Sequence, residues 1–477
     1  MGGALLELVA KGSQDIFLTG NPDTTYFKSV YKRHTNFSTE SIIQSVDGLV
    51  DFGKRIEVSI SRSGDLLSSI ILEIDLPKLE GKRGKNIQWV DSIGHHLIRS
   101  IEFQIGEQTI DKHYGEWMEI WSELTINESK KTAFNTMIGK GITISDERTL
   151  FVPLSFWFCR DYGLALPLIA LQYHEVKLII ELNTFDSSWK KEFTTYYLDK
   201  NSNEVTINTS KTNNVSTRFS DVGDLSDGLD NYFDMTLLWD DGSIDKVVSR
   251  QSDNSLTIIN NDSSNKTGYA YLIEEEPKET LSLRDLRVYC DYIYLDIGER
   301  KYFAQTKHMY LIEQLQTNGI NAYTLGKESN KIDLEFNHPC KELIWVNNLD
   351  FNKNLNLPFN FSDRVDTLYG SDNPITDVEL LINGHERFNK RKSDYFRLVL
   401  PFQKHTRAPT DFIYVYSFCL NPEEHQPSGT CNFSRLDNAE LILNYKNGIN
   451  DLTTKVYALN YNILNIVNGM GGLGYSN

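Results

Sequence analysis

The chain has 477 residues, and its 65 acidic against 48 basic side chains give a net charge of −17. A surface this acidic repels phosphate, which argues against direct binding of nucleic acid. Apolar residues make up 40% of the chain and aromatic residues 12%, which excludes a disordered protein. The 24 Tyr and 24 Phe favour β-structure, and the length fits two or three domains.

Residues 1–24 are predicted to form an N-terminal arm. They lack the basic start of a secretory signal peptide, and Glu7 interrupts their short apolar run. Residues 24–33 then combine an apolar face with Lys28, Lys32 and Arg33, which predicts a short amphipathic helix. This basic cluster stands out in an acidic chain. It either contacts a partner or simply caps the first domain.

Segments that alternate apolar and polar residues in the first 300 residues recur, in the same order, in the rest of the chain. Each alternating segment predicts a strand with one buried face. The matching pairs are 56–61 with 332–337, 69–73 with 343–347, 101–106 with 378–383, 156–159 with 416–419, 175–180 with 440–445, and 290–296 with 455–460. Their shared order indicates two β domains of the same plan.

We therefore predict an all-β protein of two tandem eight-stranded jelly-roll sandwiches with a few short helices. The first jelly roll spans residues 25–300 and the second residues 301–465, and a Gly-rich C-terminal tail follows at 466–477. Besides the helix at 24–33, helical spacing of apolar residues predicts helices at 114–124 and 299–306.

The first domain carries a large loop insertion, residues 185–285, where the second domain needs only residues 446–454. The insertion is rich in Asn, Ser, Thr and Asp but contains strand-like pieces, so we predict an exposed, partly β subdomain. A disordered linker is the alternative. It holds four weak glycosylation candidates of the Asn-x-Ser/Thr type, namely Asn208, Asn214, Asn261 and Asn265.

The sequence offers no catalytic motif, and we expect no enzyme activity, no cofactor and no metal. The histidines lack ligand spacing. Residues 469–474 fit the G-x-G-x-x-G pattern, but a dinucleotide loop needs a helix after it, and none is expected here. Five scattered cysteines suit a reducing compartment. Cys159 and Cys419 are predicted to be buried at equivalent places on matching strands, without a disulfide.

Three long segments of the chain are distinctive: residues 2–37 at the N-terminus, residues 152–175 in the middle, and residues 416–435 together with the Gly-rich end. They resemble the major capsid proteins of large nucleocytoplasmic DNA viruses. The matches are ordered and span most of the chain outside the insertion.

The resemblance implies a major capsid protein that forms homotrimeric, pseudo-hexameric capsomers. These would tile the icosahedral shell of a virion that is assembled in the host cytoplasm. The implied partners are other copies of the chain, neighbouring capsomers, minor capsid proteins and an internal viral membrane, with Lys28, Lys32 and Arg33 at the inner face. The alternative from another class is a jelly-roll carbohydrate-binding module that resembles a lectin.

Overall fold

The computed structural model describes residues 2–475 except 83–86, 143–144, 192, 211–215, 217–234, 240–242, 253, 260–264, 274–275, 324–328, 364–371, 410 and 447–450. β-Strands dominate these residues, as the composition predicts. The strands up to the insertion are β1 (Phe37–Gln44), β2 (Val46–Asp47), β3 (Arg55–Ile60), β4 (Leu66–Leu76), β5 (Gln88–Trp89), β6 (Ile98–Ile105), β7 (Gln108–His113), β8 (Arg148–Pro153), β9 (Leu166–Pro167), β10 (Val176–Leu182) and β11 (Trp189–Lys190).

The insertion contributes the next six strands, and β18 follows it. They are β12 (Phe193–Asn201), β13 (Glu204–Ile207), β14 (Met235–Trp239), β15 (Ile244–Ser252), β16 (Ser255–Ile259), β17 (Lys266–Ile273) and β18 (Asp285–Leu295). The later strands are β19 (His308–Thr317), β20 (Asn321–Tyr323), β21 (Ser329–Asp333), β22 (Pro339–Leu349), β23 (Ile375–Ile382), β24 (His385–Lys392), β25 (Tyr414–Ser417), β26 (Cys431–Asn432), β27 (Ala439–Tyr445), β28 (Leu452–Val467) and β29 (Met470–Leu473).

The helices are short. They are α1 (Gly3–Val9), α2 (Ile16–Thr19), α3 (Ile93–Leu97), α4 (Gly115–Thr125), α5 (Glu128–Ile138), α6 (Trp157–Arg160), α7 (Phe185–Ser188), α8 (Ile297–Gln305), α9 (Asp350–Asn354) and α10 (Leu400–Lys404), with a π-helical turn at Tyr395–Val399 just before α10.

The first half of the chain forms a sandwich of two antiparallel sheets. One sheet has the strand order β1-β18-β4-β8, and the other has the order β3-β10-β6-β7, with β2 beside β3. Strand β4 shows why the sheets pack: Leu72, Ile74 and Leu76 are buried, while Glu73 and Asp75 between them point outward. Side chains from both sheets meet in one apolar core.

The second half repeats this arrangement. Its sheets have the orders β19-β28-β22-β25 and β21-β27-β23-β24, so each strand occupies the place of its counterpart in the first half. Two facing antiparallel sheets of this kind are typical of a jelly roll. The predictions of an all-β fold and of two tandem sandwiches of the same plan are therefore confirmed.

The helix predictions at 114–124 and 299–306 are confirmed by α4 and α8, and the helix prediction at 24–33 is wrong. Residues 24–33 have irregular backbone, and Tyr26 and Phe27 are both 98% exposed. A helix of ten residues is marginal without a packed face. None of the described residues covers the apolar side chains of this segment, which removes the reason for a helix.

The insertion folds around a core of its own. Strands β12, β13, β16, β15, β14 and β17 close into a barrel. Tyr196, Leu237 and Trp239 are fully buried inside it. The barrel also encloses an ion pair, in which Lys200 Nζ lies 2.9 Å from an Asp245 carboxylate oxygen that also accepts a hydrogen bond from Trp239 Nε1.

Candidate assembly surfaces

The two halves are joined by helix α4, which leaves the first half and enters the core of the second. Trp117, Ile120, Trp121 and Leu124 all belong to the second apolar core. The Trp117 ring lies 5.5 Å from both the Trp121 and Tyr457 rings, measured between centroids. Helical spacing puts these side chains on one face, so the sequence predicted the helix. It did not predict that this face packs in the core of the second half.

Gly115 allows α4 to start where it does. A Cβ atom at this position would lie 2.1 Å from the carbonyl oxygen of His95 and 2.4 Å from that of Ile98. No other residue fits so close to another part of the backbone. The glycine therefore fixes the entry of the helix and, with it, the position of one half on the other.

An ionic cluster on α4 borders the apolar contact. Glu119 accepts from Lys140 Nζ at 2.6 Å and lies 2.6 Å from His95 Nδ1, while Glu123 binds Lys140 and also Arg407 of the second half. Burial alone would raise the pKa of Glu119, but the hydrogen bond with His95 and the charge of Lys140 lower it to about 2. The carboxylate is therefore held in its charged form.

A second cluster is centred on Glu313 of β19. Its carboxylate contacts Arg160 of the first half at 2.5 Å and Lys341 at 2.6 Å. Burial works to raise the pKa of Glu313, but the Arg160 charge, a hydrogen bond with His425 and the Lys341 charge lower it to about 2. No local sequence pattern marks these residues, because four distant segments supply them.

His405 is a buried histidine between two carboxylates. Its Nε2 lies 3.1 Å from Glu342 and its Nδ1 lies 3.1 Å from Glu423. Burial alone would lower the pKa of His405, but the charge of Glu342 and the hydrogen bonds to both carboxylates raise it to about 9. The ring is therefore an imidazolium at neutral pH. It lies two residues from Arg407, where the halves meet.

Strands β28 and β29 fold back on the first half. Leu464 and Ile466 belong to the first core. The backbone N–H of Tyr173 donates to the Gly469 carbonyl at 2.9 Å, and Gly469 has φ +81°, a conformation that favours glycine. His174 Nδ1 lies 3.0 Å from the Gly471 carbonyl oxygen. The Gly-rich segment thus serves close packing between the halves.

Residues 2–33, the N-terminal segment, present a large apolar surface that none of the described residues covers. Helices α1 and α2 have no buried residue. The exposed apolar side chains are Leu5, Leu6, Leu8, Val9, Ile16, Phe17, Leu18, Tyr26, Phe27, Val30 and Tyr31, all at least 55% exposed. Lys28, Lys32 and Arg33 are exposed beside them. Apolar surface of this extent marks an interaction segment.

The insertion barrel leans on the second half. The Tyr271 ring lies 4.8 Å from the Phe351 ring of α9, and Leu238 and Leu355 join the same small apolar cluster. The side-chain amide of Asn356 donates to the carbonyls of Asp186 and Trp189, at 2.7 and 2.9 Å, in the segment just before the barrel. The barrel therefore packs against the second half and is not held only by its two chain connections to the first half.

The glycosylation candidates differ in their surroundings. Asn265 is exposed and accepts a hydrogen bond from the backbone of Ser202 at 3.1 Å. Asn208 is half-buried, and its amide donates to Asp199 at 2.8 Å. Asn214 and Asn261 lie outside the described residues. Glycosylation stays a prediction, and of the two candidates that the structure describes Asn265 is the one with an exposed side chain.

The five cysteines are free thiols. Burial raises the pKa of Cys159 to about 12. The prediction that Cys159 and Cys419 lie on matching strands is wrong, because Cys159 is in α6 and Cys419 follows β25. Phe156, Trp157 and Phe158 are all buried, and a continuous apolar run does not distinguish a strand from a helical turn.

No group of three or more His, Cys, Asp or Glu side chains among the described residues could hold a metal ion. No helix in the described part of the chain is long and apolar enough to cross a membrane.

Known proteins resemble the chain along its whole length. A family described as major capsid protein N-terminus matches residues 25–222, and one described as large eukaryotic DNA virus major capsid protein matches residues 299–472. Major capsid proteins of Pyramimonas orientalis virus and Phaeocystis pouchetii virus are 38% and 35% identical, over 100% of both chains in each case.

Solved structures show the same relationship. The PBCV-1 virus capsid structure has a TM-score of 0.66 and 29% identity, and the match covers 95% of this chain and 100% of that one. The Faustovirus major capsid protein, at 12% identity, shares the fold with a TM-score of 0.66 over 97% of this chain and 96% of that one. The chain therefore belongs to the major capsid protein family of large eukaryotic DNA viruses and has its double jelly-roll fold.

Proposed function

We propose that the protein builds the icosahedral shell of a large double-stranded DNA virus as a homotrimeric, pseudo-hexameric capsomer. The observation that carries this proposal is the junction between its two like sandwiches. Helix α4 and the ionic clusters of Glu119 and Glu313 hold the halves in one relative position. Three such rigid pairs supply six similar domains, which is what a six-sided tile made from one kind of chain requires.

The N-terminal segment is proposed to face the inside of the shell and to bind minor capsid proteins, neighbouring capsomers or the internal membrane. Its apolar side chains are exposed, and Lys28, Lys32 and Arg33 add positive charge that suits acidic headgroups or acidic protein surfaces. The insertion barrel is proposed to face outward, with Asn265 as a glycan site. Assembly in the host cytoplasm belongs to the same proposal.

Removal of residues 2–24 tests the role of the arm. Light scattering should still find trimers, because the described sandwiches form their cores without these residues. Electron microscopy should find few closed shells. If the truncated protein no longer forms trimers, the arm belongs to the capsomer and its proposed inner-face role is wrong.

In the full chain, the triple variant Lys28→Glu, Lys32→Glu and Arg33→Glu distinguishes a membrane partner from protein partners. If the partner is a membrane, less of the variant than of the natural protein should float with vesicles of phosphatidylserine and phosphatidylcholine. A neutral vesicle of phosphatidylcholine alone is the matched control. Unchanged flotation together with lost shell assembly would assign these residues to protein partners instead.

A further inference from the structure

Both halves contain a β-bulge at the same place in the sheet, and this bulge shows which residues of β18 and β28 correspond. Between β18 and β4 the register shifts after Asp291, and between β28 and β22 it shifts at the same place, after Leu459. Counting back from these two residues, Tyr289 corresponds to Tyr457 and Arg287 to Lys455. A bulge is a specific structural feature, so this equivalence does not depend on the weak sequence similarity.

Within one chain, the first half contacts the sheet face of the second half that carries Lys455 and Tyr457. Tyr457 packs on Trp117, and Lys455 pairs with Glu116 of α4. Next to them, edge strand β7 of the first half meets edge strand β19, where the Asp111 carboxylate accepts from the backbone N–H of Leu315 at 3.0 Å. The contact therefore joins β7 and α4 of one half to β19 and β28 of the other.

The second half carries the equivalents of β7 and α4, and part of their apolar surface is exposed, although Phe396 and Leu400 are buried in the second core. The π-turn and α10, Tyr395–Val399 and Leu400–Lys404, follow β24 as α4 follows β7. Leu398, Val399 and Phe402 are 44%, 39% and 81% exposed, whereas the apolar side chains of α4 are buried. Unlike β7, strand β24 is strongly basic, with four basic residues against one acidic residue.

The first half carries the matching face, and part of it is exposed. On edge strand β1, Phe37 and Ile43 are 56% and 54% exposed, and Ile43 lies opposite Tyr289 in the ladder. Around Arg287, this face has three carboxylates against one guanidinium. Those carboxylates belong to Glu73, Asp75 and Asp285. Its charge is therefore opposite to that of β24.

We propose that these two surfaces bind each other between copies of this chain, with Phe402 and β24 of one copy seated on the β1–β18 face of the next. This inference rests on the proposed trimer and names the surfaces that form it. The contact is head-to-tail, and such contacts close into a ring when the rotation fits. The contact between two chains then repeats the contact between the two halves of one chain. Each half has two similar neighbours, and three chains complete a ring of six halves.

The test changes one side chain on each surface. Phe402→Asp and Ile43→Asp place a charge in the proposed contact. Ile259→Asp is the matched control, because Ile259 is 64% exposed and lies on β16 of the insertion barrel, which belongs to neither surface. Multi-angle light scattering should give trimers for the natural protein and the control, and monomers for the other two. Near-UV circular dichroism should be unchanged, since all three positions are exposed.

A photoreactive amino acid at position 402 in the full chain identifies the partner directly. Mass spectrometry should find adducts between two chains, on peptides from residues 37–44 or 285–295. Adducts confined to other peptides would overturn the inference, and so would variants that stay trimeric while the natural protein is a trimer. If the natural protein itself never forms trimers, the proposed function fails as well, so the two failures are distinguishable.

Discussion

Trp117→Ala would measure how strongly the two halves depend on each other. The side chain is fully buried in the core of the second half although its helix belongs to the first. Truncation of a buried tryptophan costs about 3–5 kcal/mol through lost transfer energy and a cavity. Trp117 Nε1 has no hydrogen-bond partner among the described residues, so no hydrogen bond is lost. Trp117→Phe keeps a ring in place and should cost about 1–2 kcal/mol.

Hydrogen exchange read by mass spectrometry is the suitable assay, because a protein with several cores need not unfold in two states. Trp117→Ala should speed exchange in β6 of the first half and in β28 of the second. Trp239→Ala, which empties the barrel core, should speed exchange in the barrel alone. If exchange in β28 does not change with Trp117→Ala, or if the loss of stability is below about 1 kcal/mol, α4 does not couple the halves.

Two further predictions concern pH and the insertion. The depressed pKa of Glu313, about 2, gives stability that is present above its ordinary value of 4.5 and lost as the pH falls towards 2. The raised pKa of His405, about 9, gives stability that is present below 6.5 and lost as the pH rises through 9. The melting temperature should therefore fall at both low and high pH. Glu313→Gln should weaken the fall at low pH, and His405→Gln should weaken the fall at high pH. A Gly/Ser turn in place of residues 193–273 should leave a folded trimer with a modestly lower melting temperature, because Phe351 loses its cover; monomers in light scattering would show that the barrel holds subunits together.

The sequence predicted the features that depend on local alternation. The buried face of β4 and the apolar face of α4 are both visible as spacing, and the order of the repeats indicated two sandwiches. The helix at 24–33 failed for a physical reason. An amphipathic pattern describes a helix only when something covers its apolar face, and the described residues leave Tyr26 and Phe27 in solvent.

The clusters at the junction were beyond prediction from one sequence. Glu313 meets Arg160, Lys341 and His425, which lie far apart in the chain, and each alone looks like an ordinary charged residue. The insertion shows a similar limit. Trp189 lies inside the predicted insertion, at residues 185–285, yet it is buried in the first core beside Trp89 and Phe185. Composition does not reveal where a polar insertion leaves the core of its host domain.

The return of β28 to the first half has a consequence for how the protein is made. Leu464 and Ile466 complete a core whose other members lie mostly before residue 295, so the first domain cannot finish folding until residue 466 has left the ribosome. Domains otherwise tend to fold in the order of their synthesis. A polypeptide interrupted earlier would keep an open apolar edge, which exposes it to chaperones and proteases. The fold thus ties completion of the first domain to synthesis of the second.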